Sequence, residues 1–190
     1  MDSIVKLVQT ELNDFNGAVF IRIDNPRRVE VFDELDGQMG RSYAYEAICD
    51  APEFKSGWRD QDAAIIELRS IFVPDERAEY LLDLLSRICK DESVTSVDDG
   101  ISQTVNVRQG VGLKKTERLK SRILLTPYRT FTEVEQPESE FILRLDNDSR
   151  TGLFEVDGGR WKLTAKERIK AYFEERLAAE IEQARVVVMM

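Results

Sequence analysis

Ala18-Val-Phe-Ile-Arg-Ile-Asp24 is the stretch whose reading decides the fold. Val19, Ile21 and Ile23 alternate with Phe20 and Arg22, the two-residue period of a strand with one buried face. Asn25-Pro26 follows as a turn, and Val29, Val31 and Asp33 then share one face of a second strand. Asp36-Gly37 and Gly40 mark another turn, after which Ser42-Tyr-Ala-Tyr-Glu-Ala-Ile-Cys49 has the β-rich composition of a third strand. Neighbouring strands joined by short turns predict an antiparallel meander.

On the N-terminal side, Ile4, Leu7, Val8 and Leu12 recur at helical spacing, with Ser3 placed to cap the free amides. On the other side, residues 51–62 form a polar connection that carries Pro52, Gly57 and Trp58. Ala64 to Val73 reads as a strand running into a helix, with Pro74 at the first helical position. In that helix Leu81, Leu84, Leu85 and Ile88 form the buried stripe, Asp75 and Glu76 suit its positive end, and Arg87 and Lys90 its negative end. Ser93-Val-Thr-Ser-Val97 and Ile101 to Val107 flank Asp98-Asp99-Gly100, which predicts a hairpin. Gly110 and Gly112 bracket a loop, and β-rich stretches follow at 119–135, 140–146 and 152–156.

Thr164 and Glu167 have the spacing of a capping box, so a last helix is predicted over about 164–185, ahead of the apolar tail Val186-Val-Val-Met-Met190. The sum is an α+β fold: an antiparallel twisted sheet of about 7–9 strands with helices packed on one face or at its ends, in a single domain over residues 1–190. No apolar run reaches the ~20 residues of a membrane span, and Met1-Asp2-Ser3-Ile4 lacks the layout of a secretory signal. Two unspaced cysteines, Cys49 and Cys89, fit core positions in a reduced cytoplasmic protein. The two tryptophans, Trp58 and Trp161, read as anchors of loops on the core, or as a contact site where exposed.

The 190 residues hold 27 Lys and Arg against 36 Asp and Glu, a formal net charge of −9, and no histidine. Ser-His-Asp and Cys-His catalysis and His-ligated zinc are thereby excluded. Cations concentrate in one window, 114–129: Lys114, Lys115, Arg118, Lys120, Arg122 and Arg129, opposed within it by Glu117 alone. With Tyr128 alongside, these residues form a candidate site for a nucleotide or single-stranded nucleic acid. The competing interpretation is a strand whose solvent face is basic, or a contact with an acidic subunit. Asp146-Asn-Asp148 fails as a calcium loop because Arg150 occupies the fifth position, so a hairpin turn is expected there. Acid pairs such as Asp98 and Asp99, or Glu133 and Glu135, read as solvated charges; a carboxylate- or metal-dependent enzyme would need three acids in one pocket. No cofactor is implied. An exposed apolar tail is a liability, so self-association is expected through Ile169, Phe173, Leu177, Ile181 and Val188.

Three blocks carry a resemblance: Pro127-Tyr-Arg-Thr-Phe-Thr-Glu-Val-Glu-Gln-Pro-Glu-Ser-Glu-Phe141, Leu153-Phe-Glu-Val-Asp-Gly-Gly-Arg-Trp-Lys162, and Ile169 to Leu177. Together with Ser70 to Val105, they resemble a group of phage and prophage proteins of unknown function, related more loosely to the YfdQ-like proteins of enterobacterial prophages. The match covers roughly residues 42–177, and the Tyr-Arg-Thr-Phe…Gln-Pro block is its most specific part. The resemblance implies a phage-encoded, intracellular, early-expressed protein, often encoded near replication and recombination genes, and it transfers no catalytic residue. Two readings of function follow. The first is a non-enzymatic accessory protein of the host cytoplasm that forms a homo-oligomer and binds a host or phage protein through its acidic surface. The second is a nucleotide or single-strand binding module using the 114–129 segment.

Overall fold

The computed structural model describes residues 1–88, 95–96, 103–108, 114–146, 148 and 150–190. Its first elements are α1 (Asp2–Glu11), β1 (Val19–Asn25), β2 (Arg28–Phe32), β3 (Tyr43–Ile48), β4 (Gly57–Arg59), α2 (Gln61–Ile71) and α3 (Glu76–Arg87). They are followed by β5 (Thr95–Ser96), β6 (Gln103–Arg108), β7 (Lys114–Leu119), β8 (Arg122–Leu125), β9 (Ser139–Leu145) and β10 (Thr151–Glu155). The chain closes with α4 (Trp161–Arg176), α5 (Ala178–Glu182) and β11 (Val186–Met189). The fold is α+β and its strands pair mostly antiparallel. Among the described residues they form ladders of four, four and three strands, in place of one sheet of about 7–9. Alternation shows that a segment is a strand but carries no information about which ladder it joins. The chain divides into two compact units, Met1–Pro52 with Arg129–Pro137 and Arg160–Met190, and Glu53–Tyr128 with Glu138–Gly159.

In the first unit the sheet order is β11-β1-β2-β3. The expected meander is present: β1 pairs with β2 and β2 with β3, both antiparallel. Val19, Ile21, Ile23, Val29 and Val31 are fully buried against Ile4, Val5 and Val8 of α1 and Ile169 and Phe173 of α4. Helix α1 begins at Asp2, with Met1 and not Ser3 at the cap position. Helix α4 begins at Trp161, so Thr164 and Glu167 lie inside it and do not cap it. Gly158 and Gly159, both at positive φ, turn the chain into that earlier start. The long terminal helix expected over 164–185 is broken at Leu177, and α5 ends where Ala184 adopts a left-handed conformation. The apolar tail is then a β-strand. Val186 to Met189 pair parallel with Val19 to Arg22, as a run of β-branched residues favours.

In the second unit the sheet order is β4-β10-β9-β8. Phe141, Leu143 and Leu145 of β9 alternate inward with Ile123, Leu125 and Leu153, and meet Ala64 and Leu68 of α2 and Leu81, Leu84 and Leu85 of α3. Phe54, Phe72 and Phe141 close that core edge to face, with ring centroids 5.3–5.9 Å apart. The segment expected as a strand over 64–73 is helix α2. Its buried residues Gln61, Ala64 and Leu68 follow helical spacing, which outweighs the β preference of Ile65 and Ile66. Pro74 lies before the α3 cap, not in its first turn, and Asp75 caps by accepting from Arg77 N and Ala78 N at 3.0 and 2.7 Å. The arms of the expected 93–107 hairpin are joined, Thr95 opposite Thr104, whereas Asp98, Asp99, Gly100, Gly110, Gly112 and Cys89 lie outside the described residues. Asp146 makes the expected hairpin turn, its Oδ1 accepting from Asp148 N and Arg150 N. Among the described residues no helix is long and apolar enough to cross a membrane.

Candidate binding groove

A groove of about 430 Å3 lies in the second unit between the start of α3 and the edge strand β8, within the size range of small-molecule sites. Arg77 and Tyr80 are three residues apart on α3 and therefore on one helical face. Lys120 and Arg122 enter from the opposite side, with Ile123 and Leu124 as apolar lining and Glu76 at the rim. The Lys120 ammonium stands 5.2 Å from the centroid of the Tyr80 ring. Arg77 donates to Asp75 Oδ2 at 2.9 Å and to Glu138 Oε2 at 2.5 Å. Partial burial disfavours its charge, but the hydrogen bonds to Glu138 and Asp75 outweigh that and hold Arg77 above its ordinary value. Arg122 reaches Glu140 at 3.3 Å. The groove thus offers three cations, two of them held by carboxylates, with an aromatic ring and an apolar lining.

The 114–129 segment is not one patch. Lys114 and Lys115 lie on β7 opposite Arg108 and Val107, and Arg118 is exposed on the same strand opposite Thr104. Lys120 and Arg122 line the groove. Tyr128 is half-buried outside it, its backbone N–H donating to Ile71 O. Arg129 belongs to the first unit and is 5% exposed, its guanidinium 4.3 Å from the Trp161 ring and donating to Pro137 O. Sequence reading missed Arg77 and Tyr80. Their signal was a basic and an aromatic residue three apart beside the buried stripe of an otherwise well-patterned helix.

Residues 128–135, expected as a strand, are an irregular loop held by Gln136. Gln136 Oε1 accepts from Arg129 N and Thr130 N, its Nε2 donates to Phe131 O, and Arg168 donates to Glu135 O and Gln136 O. The block most specific to the resemblance is therefore a structural knot. Of the residues expected at a self-contact, Ile169, Phe173 and Leu177 are buried in the first unit's core, while Ile181 and Val188 pack partly buried at its margin. A second cavity, about 560 Å3, lies near Asn25, Arg28, Glu46 and half-buried Cys49; its Arg28 already bridges Glu30 and Glu46. No protein-family model, no curated protein and no solved structure matches this chain.

Proposed function

We propose that the chain acts by binding and not by catalysis, and that the α3–β8 groove takes a phosphate-bearing planar ligand such as a nucleotide. The observation that carries this reading is the convergence of Lys120 and Arg122 on Arg77 and Tyr80 around one cavity. The carboxylates Glu138 and Glu140 that hold Arg77 and Arg122 are themselves 42% and 36% exposed. Exposed ion pairs contribute about 0–1 kcal/mol, so a multiply charged phosphate exchanges with them at little cost while meeting cations already in place. Tyr80 supplies a ring face for the planar part of the ligand. In the setting implied by the resemblance, this is a phage-encoded accessory protein that retains a nucleotide or a strand end in the host cytoplasm. Thermal denaturation with a nucleoside triphosphate, inorganic phosphate and no addition tests the reading. Stabilisation by the triphosphate well beyond that by phosphate supports it, and no shift with either refutes it.

Self-association is a second reading, favoured by β11 alone. This four-residue strand is the edge of its sheet among the described residues, carries no charge, and leaves Val187 39% exposed. On this reading the contact forms through the strand edge and not through Ile169, Phe173 or Leu177. Sedimentation of Val187→Lys against the parent chain decides it: dissociation of an oligomer supports the edge contact, and an unchanged state removes it.

A further inference from the structure

Glu76 is the single carboxylate that lines the α3–β8 groove. The acids around it are engaged: Asp75 and Glu138 hold Arg77, and Glu140 holds Arg122. Glu76 is exposed, and among the described residues its carboxylate has no hydrogen bond or ion pair. An ionised carboxylate only accepts, through two oxygens, so what it recognises is a ligand that brings N–H or O–H donors.

Helix geometry sets this carboxylate beside the aromatic ring. Glu76 and Tyr80 are four residues apart in α3 and share one face. A helical side chain leans toward the N-terminus of its helix, so Tyr80 covers the turn that carries Glu76 and Arg77. Arg77 at that end already faces two carboxylates. Lys120 and Arg122 enter from the opposite side, and among the described residues Lys120 has the Tyr80 ring and no carboxylate as its partner. A phosphate therefore draws Lys120 off the ring and leaves the ring face to the planar group. Charge gives a bound nucleotide one orientation: phosphates toward Lys120 and Arg122, base over Tyr80 with its edge toward Glu76.

We infer that Glu76 makes the groove selective for guanine nucleotides, its two oxygens accepting from guanine N1–H and the N2 amine. This rests on the nucleotide reading of the groove and names the base it takes. Guanine alone among the common bases carries two neighbouring N–H donors on its pairing edge, at the spacing of two carboxylate oxygens. Adenine and cytosine set an acceptor nitrogen beside their amino group, and uracil flanks its one N–H with two carbonyls. With each of those bases one carboxylate oxygen meets a lone pair, and repels it. A matched bidentate pair discriminates by roughly 5- to 150-fold.

The test titrates the full chain calorimetrically at low salt with the triphosphates of guanosine, adenosine and inosine, the last keeping N1–H but lacking the N2 amine. Guanosine triphosphate is expected to bind more tightly than adenosine triphosphate by roughly 5- to 150-fold, with inosine triphosphate between them. Glu76→Gln is expected to weaken the guanosine ligand and not the adenosine one, and, being exposed, to leave the melting curve unchanged. Equal affinities of the parent chain for guanosine and adenosine triphosphates overturn the inference while the groove stands. So does an equal gain for both in Glu76→Gln, the result of removing a charge that only repels phosphate. Inosine triphosphate bound as tightly as guanosine triphosphate overturns it in the parent chain alone, whatever the variant does. If none of the three binds, groove and inference fall together.

Discussion

The side-chain amide of Gln136 both accepts from and donates to Thr130: its Oε1 takes the Thr130 N–H at 3.1 Å and its Nε2 reaches the Thr130 carbonyl at 3.3 Å. The same amide takes the Arg129 N–H and gives to Phe131 O and Val134 O, so one buried side chain replaces the ladder that residues 128–135 lack. Gln136→Ala leaves several buried backbone groups without partners, each costing about 1–3 kcal/mol. The expected loss is roughly 2–4 kcal/mol in urea unfolding. A loss under half a kcal/mol would show that the loop is held by something else.

Phe173 is fully buried in the first unit's core. Phe173→Ala is expected to cost about 3–5 kcal/mol. The oligomeric state seen by light scattering should stay the same, since the ring contributes no outward surface. Dissociation of an oligomer without a stability loss would return this residue to an interface.

Tyr172 donates to Asp2 Oδ1. Burial first, and then that bond and the Asp2 charge, push its phenol up to about 12. A folded pKa above the unfolded value of about 10 means that the stabilisation is fully present below pH 10 and is lost as pH rises through about 12. The tyrosinate absorbance titration of the parent chain minus that of Tyr172→Phe should show one step centred near 12. A step at the ordinary tyrosine value contradicts the buried bond.

Arg28 bridges Glu30 and Glu46, which face each other directly across β2 and β3, at 3.0 and 2.9 Å. Removing the bridge leaves like charges opposed, one of them on the buried Glu30. Arg28→Gln should lower the melting temperature, and adding Glu46→Gln should recover part of the loss. Equal melting temperatures for the single and double variants would deny the coupling.

What the sequence made legible follows from how local each signal is. Val19, Ile21 and Ile23 announced their strand because a two-residue period needs no partner to be seen, and Leu81, Leu84 and Leu85 announced α3 in the same way. Ala64 to Val73 reads as a strand because Ile65, Ile66 and Ile71 are β-branched, whereas its buried residues, Gln61, Ala64 and Leu68, keep helical spacing. The tail Val186–Met189 showed only that it must be covered; that β1 covers it in parallel is a long-range pairing with no local trace. The site was half legible. Lys120 and Arg122 were in the cationic window, but Arg77 and Tyr80 lie 40 to 45 positions earlier. Only the ladder and the helix packing bring such residues together. Arg129 shared the window's charge yet is buried against Trp161, a role that charge counting does not reveal.

The central claim is that the α3–β8 groove binds a phosphate-bearing planar ligand through Lys120 and Arg122. Isothermal titration of the full chain with a nucleoside triphosphate at low salt tests it most directly, alongside Lys120→Glu with Arg122→Glu. Saturable binding by the parent chain, weakened at least tenfold in the double variant whose melting curve is otherwise unchanged, is the predicted result. Equal affinities for the two chains, or no saturable heat from the parent, would contradict the claim.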